Sequence, residues 1–203
     1  GARPVDARRL TLTARMAELA LPAAAVGPVV RQSVGFLTSL GLQVVLTGQQ
    51  APSGIAGRLS SAGGLALRRM SELGVPAEAI TSAMVNFGLP APNLAASQPA
   101  PPRDMAEDEI LWRWLSALAN EGARLLAAGV VSSPLDIDLV AVAGLGFPRH
   151  RGGPLHMADQ RGLIIVRRDL LRWASEGDVW TPVPALDALV SVGRGFSGSI
   201  KTG

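Results

Sequence analysis

Apolar residues recur three and four positions apart between 108 and 131, where Leu111, Trp114, Leu115, Leu118, Leu125 and Leu126 line one face of a long predicted helix. Upstream the pattern changes period. Residues 15–21 (RMAELAL) read as a short strand, 25–40 (AVGPVVRQSVGFLTSL) as a helix stopped by Gly41, and 42–47 (LQVVLT) as a β-branched strand ending at Gly48. Strand, helix and strand fit a parallel βαβ crossover, which is too little sheet to stand alone as a doubly wound domain. From residue 54 the spacing is helical again, over 54–74 and 76–88, with Gly74 and Gly88 as stops and Pro76 suited to a first turn. Beyond the long helix, 134–144 (PLDIDLVAVAG) and 163–177 (LIIVRRDLLRWASEG) read as helices, and Pro182 and Pro184 introduce a last short one.

The segment 89–104 (LPAPNLAASQPAPPRD) is rich in proline and has little periodicity, so it reads as a linker or an extended surface loop. The expected organisation is a small α/β unit over 1–51, a first helical module over 52–98, a Pro-rich linker over 99–106 and a second helical module over 107–203. A weak repeat crosses the linker. Helix, glycine turn (Gly74, Gly129), second helix (Ile80, Ile137) and a proline followed by alanine (Pro92 and Ala96, Pro154 and Ala158) occur twice, as expected of a duplication.

Composition narrows the function classes. Hydrophobic residues make up 48% of the 203 residues and mean hydropathy is +0.28, values of a folded chain rather than a disordered one, yet no apolar run is long enough to cross a bilayer. No membrane insertion is expected. The start, GARPVDARR, lacks an apolar stretch behind its charges and does not read as a signal peptide; the chain reads as the interior of a longer parent, with the cytoplasm as default compartment. The net charge of +3 comes almost wholly from scattered arginines, Lys201 being the only lysine, and aromatic residues are only 4% of the chain. Nucleic acid, which is bound by clustered cations interleaved with aromatics, is therefore not an expected partner. The absence of cysteine rules out disulfides, thiolate catalysis and cysteine-held zinc.

Residues 144–162 (GLGFPRHRGGPLHMADQRG) concentrate glycine, proline and ring side chains at a density that core formation does not require. Together with Asn120 and Glu121 in the long helix and Asp136, Ile137 and Asp138 opening the next, the residues Gly144, Leu145, Gly146, Phe147, Pro148, Gly152, Gly153, Pro154, Ala158 and Asp159 carry a resemblance. This part of the chain resembles the C-terminal helical region of the 3-hydroxyacyl-CoA dehydrogenase family, especially its multifunctional fatty-acid oxidation enzymes. The likeness is strong over 107–203 and weak before it, where PSGIAGRL (52–59) lines up with the start of the family's first helical module. It implies a mainly α fold: two tandem C-terminal-like helical modules of that family behind a small N-terminal βαβ remnant of a Rossmann-like, nucleotide-binding domain.

The family's catalytic positions have changed. Its catalytic Glu aligns with Ala20, its substrate-holding Asn with Gly57, and its His falls near Arg8. Both histidines of this chain, His150 and His156, lie beyond residue 149, so the first 149 residues hold no imidazole to take the hydroxyl proton as hydride leaves. No G-x-G-x-x-G turn follows a strand, so NAD, which the resemblance implies for the intact family enzyme, is not expected on this chain alone. No catalytic and no cofactor-binding residue is assigned.

The candidate site is the loop bearing Arg149, His150, Arg151, Gly152, Gly153 and His156. Its backbone N–H groups and guanidinium forks suit a phosphate or a CoA diphosphate, while the plainer reading has the same loop packing domains together. No metal site is expected: two histidines lack a convincing third ligand, although Asp159 is near in sequence. The four tryptophans, Trp112, Trp114, Trp173 and Trp180, read first as core and interdomain packing and second as an acyl-chain or partner groove. PSGIAG (52–57) is not a nucleophile elbow, and Asp104, Glu107, Asp108 and Glu109 suit a helix N-terminus. Two functions follow as expectations. One is the acyl-CoA-facing and dimerising half of an NAD-dependent dehydrogenase of fatty-acid β-oxidation, not competent alone. The alternative is a non-catalytic structural or acyl-CoA-binding module descended from that half. Acyl-CoA, other domains of a parent enzyme and a second copy are the partners these readings imply.

Overall fold

The computed structural model describes residues 9–13, 16–21, 27–48, 53–94 and 101–198. The chain is mainly α, with a small N-terminal sheet. Strands β1 (Arg9–Thr13), β2 (Met16–Ala20) and β3 (Gln43–Thr47) lie in that order, and helix α1 (Gly27–Ser39) connects β2 to β3. The anticipated parallel βαβ unit is present, with Glu18 opposite Val45 in its register. Sequence patterning did not anticipate β1, which pairs antiparallel with β2.

Helices α2 (Gly54–Glu72) and α3 (Ala77–Phe87) precede the linker; α4 (Glu107–Ala127), α5 (Pro134–Gly144), α6 (Pro154–Arg161), α7 (Leu163–Trp173) and α8 (Pro184–Ser191) follow it. Three boundaries differ from the periodicity. The long helix ends at Ala127 rather than 131, and α7 ends at Trp173 in a 3-10 turn over Ala174–Glu176. The loop 144–162 contains a 3-10 turn at Arg149–Arg151 and all of α6. PLHMADQR has too few apolar positions to show a helical period, but Pro154 suits the first helical position, where its missing N–H costs nothing.

One contiguous hydrophobic core runs through all of these helices, and the most extensive contact is α2 on α4. The two halves end their first helices alike. At α2 the N–H groups of Leu73, Gly74 and Val75 bond the carbonyls of Arg69, Ser71 and Met70; at α4 those of Ala128, Gly129 and Val130 bond Arg124, Leu126 and Leu125. Each half also tethers the approach to the other's first helix, Gly48 N–H to Val130 O at 2.8 Å and Arg103 N–H to Gly74 O at 2.9 Å. These contacts are reciprocal between the two halves. The repeat then breaks: Pro154 opens α6, whereas Pro92 lies in the extended segment 89–94, and Ala96 falls outside the described residues.

The tryptophans serve the core. Trp173 and Trp180 are buried edge to face, their ring centres 6.5 Å apart, and Arg113 places its guanidinium 4.9 Å from each ring. Trp114 reaches from α4 to α2 and α3, stacked 6.1 Å from Phe147 and edge-on to Phe87. Gly63 of α2 makes room for it, because a Cβ there would stand 2.7 Å from the indole nitrogen. Among the described residues, no helix is long and apolar enough to cross a membrane.

Candidate functional site

The polar residues that carry the resemblance hold backbone. Asn120, buried in α4, accepts from Val183 N–H at 3.0 Å and donates to Thr181 O at 2.7 Å, which fixes the chain entering α8. Glu121 pairs with Arg58 of α2 and Arg124 of its own helix. Asp138 of α5 accepts from the N–H groups of Leu155 and His156 at 2.8 and 3.0 Å, satisfying the open first turn of α6 from a distant part of the chain. Gly153 permits this approach, since a Cβ there, at φ 118°, would lie within 2.5 Å of the Asp138 carboxyl. Asp159 does the same for the C-terminal segment, accepting from Phe196 and Ser197 at 2.7 and 2.9 Å.

The candidate loop divides into an inward and an outward set. Phe147 and Pro148 are buried, with the Phe147 ring 5.3 Å from that of Phe87. Arg151 lays its guanidinium 4.6 Å from the Phe87 ring, and Gly153 sits against Asp138. Arg149, His150, Gly152 and His156 are exposed; His156 Nε2 meets the Gln160 amide at 2.9 Å, and its ring crowds Gly152. The loop thus joins α5 and α6 to the end of α3 while presenting Arg149, His150 and His156 outward. Among the described residues, no group of three or more His, Asp or Glu side chains gathers as a metal site would require.

Sequence reasoning passed over Glu18. Ala20, aligned with the family's catalytic Glu, ends β2, and two residues earlier on the same face of the strand lies a buried carboxylate. Glu18 accepts from Ile55 and Ala56 N–H at 2.5 and 2.9 Å, at the first turn of α2, and Gly54 clears its path. Burial raises its pKa against the opposing pull of those two bonds. The available signal was a lone acid in an otherwise apolar strand, MAELA. Gly57 is half-buried on α2 with Ser53 against it, and Arg8 lies outside the described residues.

Burial also raises the Asp138 pKa, to about 6, against the Leu155 and His156 bonds and the His156 charge, with Asp159 adding to the rise. The folded chain therefore holds this proton between about pH 4 and 6, where the unfolded chain has released it. The stabilisation is complete below that window and is lost as pH rises through it, by up to ~3 kcal/mol. Urea melts of wild type and Asp138→Asn between pH 4 and 7.5 should give a difference curve that changes across this window and is flat above pH 7. A pH-independent difference would show that Asp138 does not titrate there.

Over part of its length, the chain is similar to peroxisomal bifunctional enzymes and to fatty acid oxidation complex alpha subunits, a likeness consistent with a region of the 3-hydroxyacyl-CoA dehydrogenase family. It is 50% identical over 62 residues, 30% of the chain, to a peroxisomal bifunctional enzyme of Danio rerio, and 44% identical over 72 residues, 36% of the chain, to that of Homo sapiens. A fatty acid oxidation complex subunit alpha of Idiomarina loihiensis is 35% identical over 97 residues, 47% of the chain. The matched segments span 9%, 10% and 14% of those relatives, about a tenth of their length. No family model matches the chain.

Proposed function

We propose that this chain is the helical, substrate-side and assembly part of a 3-hydroxyacyl-CoA dehydrogenase of fatty-acid β-oxidation, not catalytically competent by itself. The observation that carries the reading is the occupancy of the reacting positions. Ala20 and Gly57 stand where the family has a carboxylate and an amide, and the imidazoles of His150 and His156 lie on the far loop beside α6. The junction from β3 to α2 fits a dinucleotide poorly. At such a helix N-terminus a diphosphate would take the backbone N–H groups, and here Glu18 already takes those of Ile55 and Ala56 and adds negative charge.

Acyl-CoA is the proposed ligand of the outward loop, where exposed Arg149, His150 and His156 offer donors to a CoA diphosphate. The partners proposed for the covered faces are the other domains of a parent enzyme or a second copy. The alternative, an acyl-CoA-binding or structural module without turnover, is favoured by how fully Asn120, Glu121, Asp138 and Asp159 are engaged in holding backbone and ion pairs.

Purified chain mixed with 3-hydroxyacyl-CoA and NAD should form no NADH above the blank. Turnover that disappears in His150→Ala or His156→Ala would overturn the reading. Calorimetric titration with an acyl-CoA separates the two forms of it: binding weakened about tenfold by Arg149→Ala supports a CoA contact at the loop, and the absence of heat leaves the assembly role alone.

A further inference from the structure

The matching ends of α2 and α4 give a common frame in which the two halves differ. Counting back from Gly74 and Gly129, Ser60 of α2 corresponds to Leu115 of α4, Gly64 to Ala119 and Leu67 to Gly122. On α4 all three residues are buried, and the Leu155 side chain of α6 lies so close over Gly122 that a Cβ there would approach it to 2.6 Å. On α2 the counterparts are open: Ser60 and Gly64 are exposed and Leu67 is half-buried. They border a cleft of about 320 Å³ floored by Gly63, Trp114 and Phe147 and edged by the extended segment 89–94. The described residues contain no helix after α3 to match α6 after α5.

We propose that this cleft docks a short amphipathic helix from a partner protein, seated on α2 as α6 is seated on α4. The molecule itself shows what covers such a face: a proline-led helix with a leucine in its first turn and alanine on the following turn, as in Leu155 and Ala158. Helix-in-groove recognition works in this way, an apolar anchor entering a preformed cleft between helices. Charge narrows the partner further. Arg68, one turn beyond Gly64, is exposed and has no ion-pair or hydrogen-bond partner among the described residues, whereas its counterpart on α4 is the buried Ala123. The docking helix therefore carries an acidic residue facing Arg68. Gly64 fits the same role: a Cβ there would meet nothing within 4 Å among the described residues, so no contact among them accounts for a helical glycine that disfavours the helix by about 1 kcal/mol. This inference is independent of catalysis and of CoA.

The probe is a fluorescein-labelled peptide with the sequence of residues 152–162, in which Asp159, one turn after Leu155 and flanking the buried face, supplies the acid; it is titrated into the full chain and read by anisotropy. Saturable binding is expected, weakened at least tenfold by Leu67→Asp or by Leu155→Asp in the peptide. Arg68→Glu should weaken it several-fold, and a peptide with Lys in place of Asp159 should restore it. Circular dichroism of each variant checks that the fold persists. No saturable binding, or binding indifferent to Leu67 and Arg68 in folded variants, overturns the proposal. So does a dimer in sedimentation that Leu67→Asp dissociates, which would make a second copy the occupant, or displacement of the peptide by decanoate, which would make the cleft a site for an aliphatic chain.

Discussion

Arg113→Ala should lower the unfolding free energy by about 3–5 kcal/mol, one of the largest losses expected of a single side chain here. Arg113 is 1% exposed, yet it carries a charge. That charge is met by Glu109 at 2.8 Å and Glu176 at 2.5 Å and lies between the faces of Trp173 and Trp180, whose own N–H bonds Arg113 O at 2.9 Å. Glu176 also takes Arg103 at 3.0 Å, so one arginine ties α4 both to the turn after α7 and to the end of the linker. Burial alone would push the Glu176 pKa up; Arg103 and Arg113 outweigh it and hold the carboxyl below its ordinary value. Removing Arg113 opens a cavity between two indoles and takes the shared cation from the part-buried Glu109 and Glu176, leaving Glu176 with Arg103. Urea denaturation followed by tryptophan fluorescence reads the effect directly. A loss under 1 kcal/mol would mean that the cluster relaxes around the missing cation.

Gly74→Ala should cost about 3 kcal/mol or more, while Gly129→Ala, at the corresponding turn of the other half, should cost only ~1 kcal/mol. Both glycines end a helix with positive φ, 91° and 64°, so both substitutions carry the left-handed penalty. They differ in what surrounds them. A Cβ on Gly74 would stand 2.1 Å from Pro101 O, in backbone that Arg103 N–H fastens to Gly74 O; a Cβ on Gly129 would meet nothing within 4 Å. The pair separates backbone strain from close approach, and thermal melts of the two variants suffice. Equal losses would show that the linker end is free to move away from α2.

Much of the helical part was legible because the signals that start and stop helices are local. Gly74, Gly88 and Gly129 end their helices in the left-handed conformation that the periodic spacing before them suggests, and Ser133 with Pro134 opens α5. The parallel β2–α1–β3 unit followed from two short strand-like segments, the second of them β-branched, separated by a helix-length one. The candidate loop was legible as a place of close approach, but not in its direction. Arg149 and His150 face outward while Arg151 turns onto Phe87, and their sequence of alternating cations gives no sign of which will do so.

By itself, then, the sequence determined a mainly α chain with a small parallel unit at its start, a proline-rich break, and helix ends placed by glycine and proline. Each of these depends on the φ preferences and apolar spacing of neighbouring residues. Only the tertiary structure decided that PLHMADQR is a helix, because its first turn is held by Asp138 from 17 residues away. It also decided that Glu18 would be buried at the start of α2, across 37 residues, and that Arg113 of an amphipathic helix would be buried between two indoles. The open face of α2 belongs with these, since it is visible only against the covered face of α4. Such features depend on which distant groups are brought together, and the free energy of burying a charge or leaving a groove open has no expression in local sequence until those groups meet.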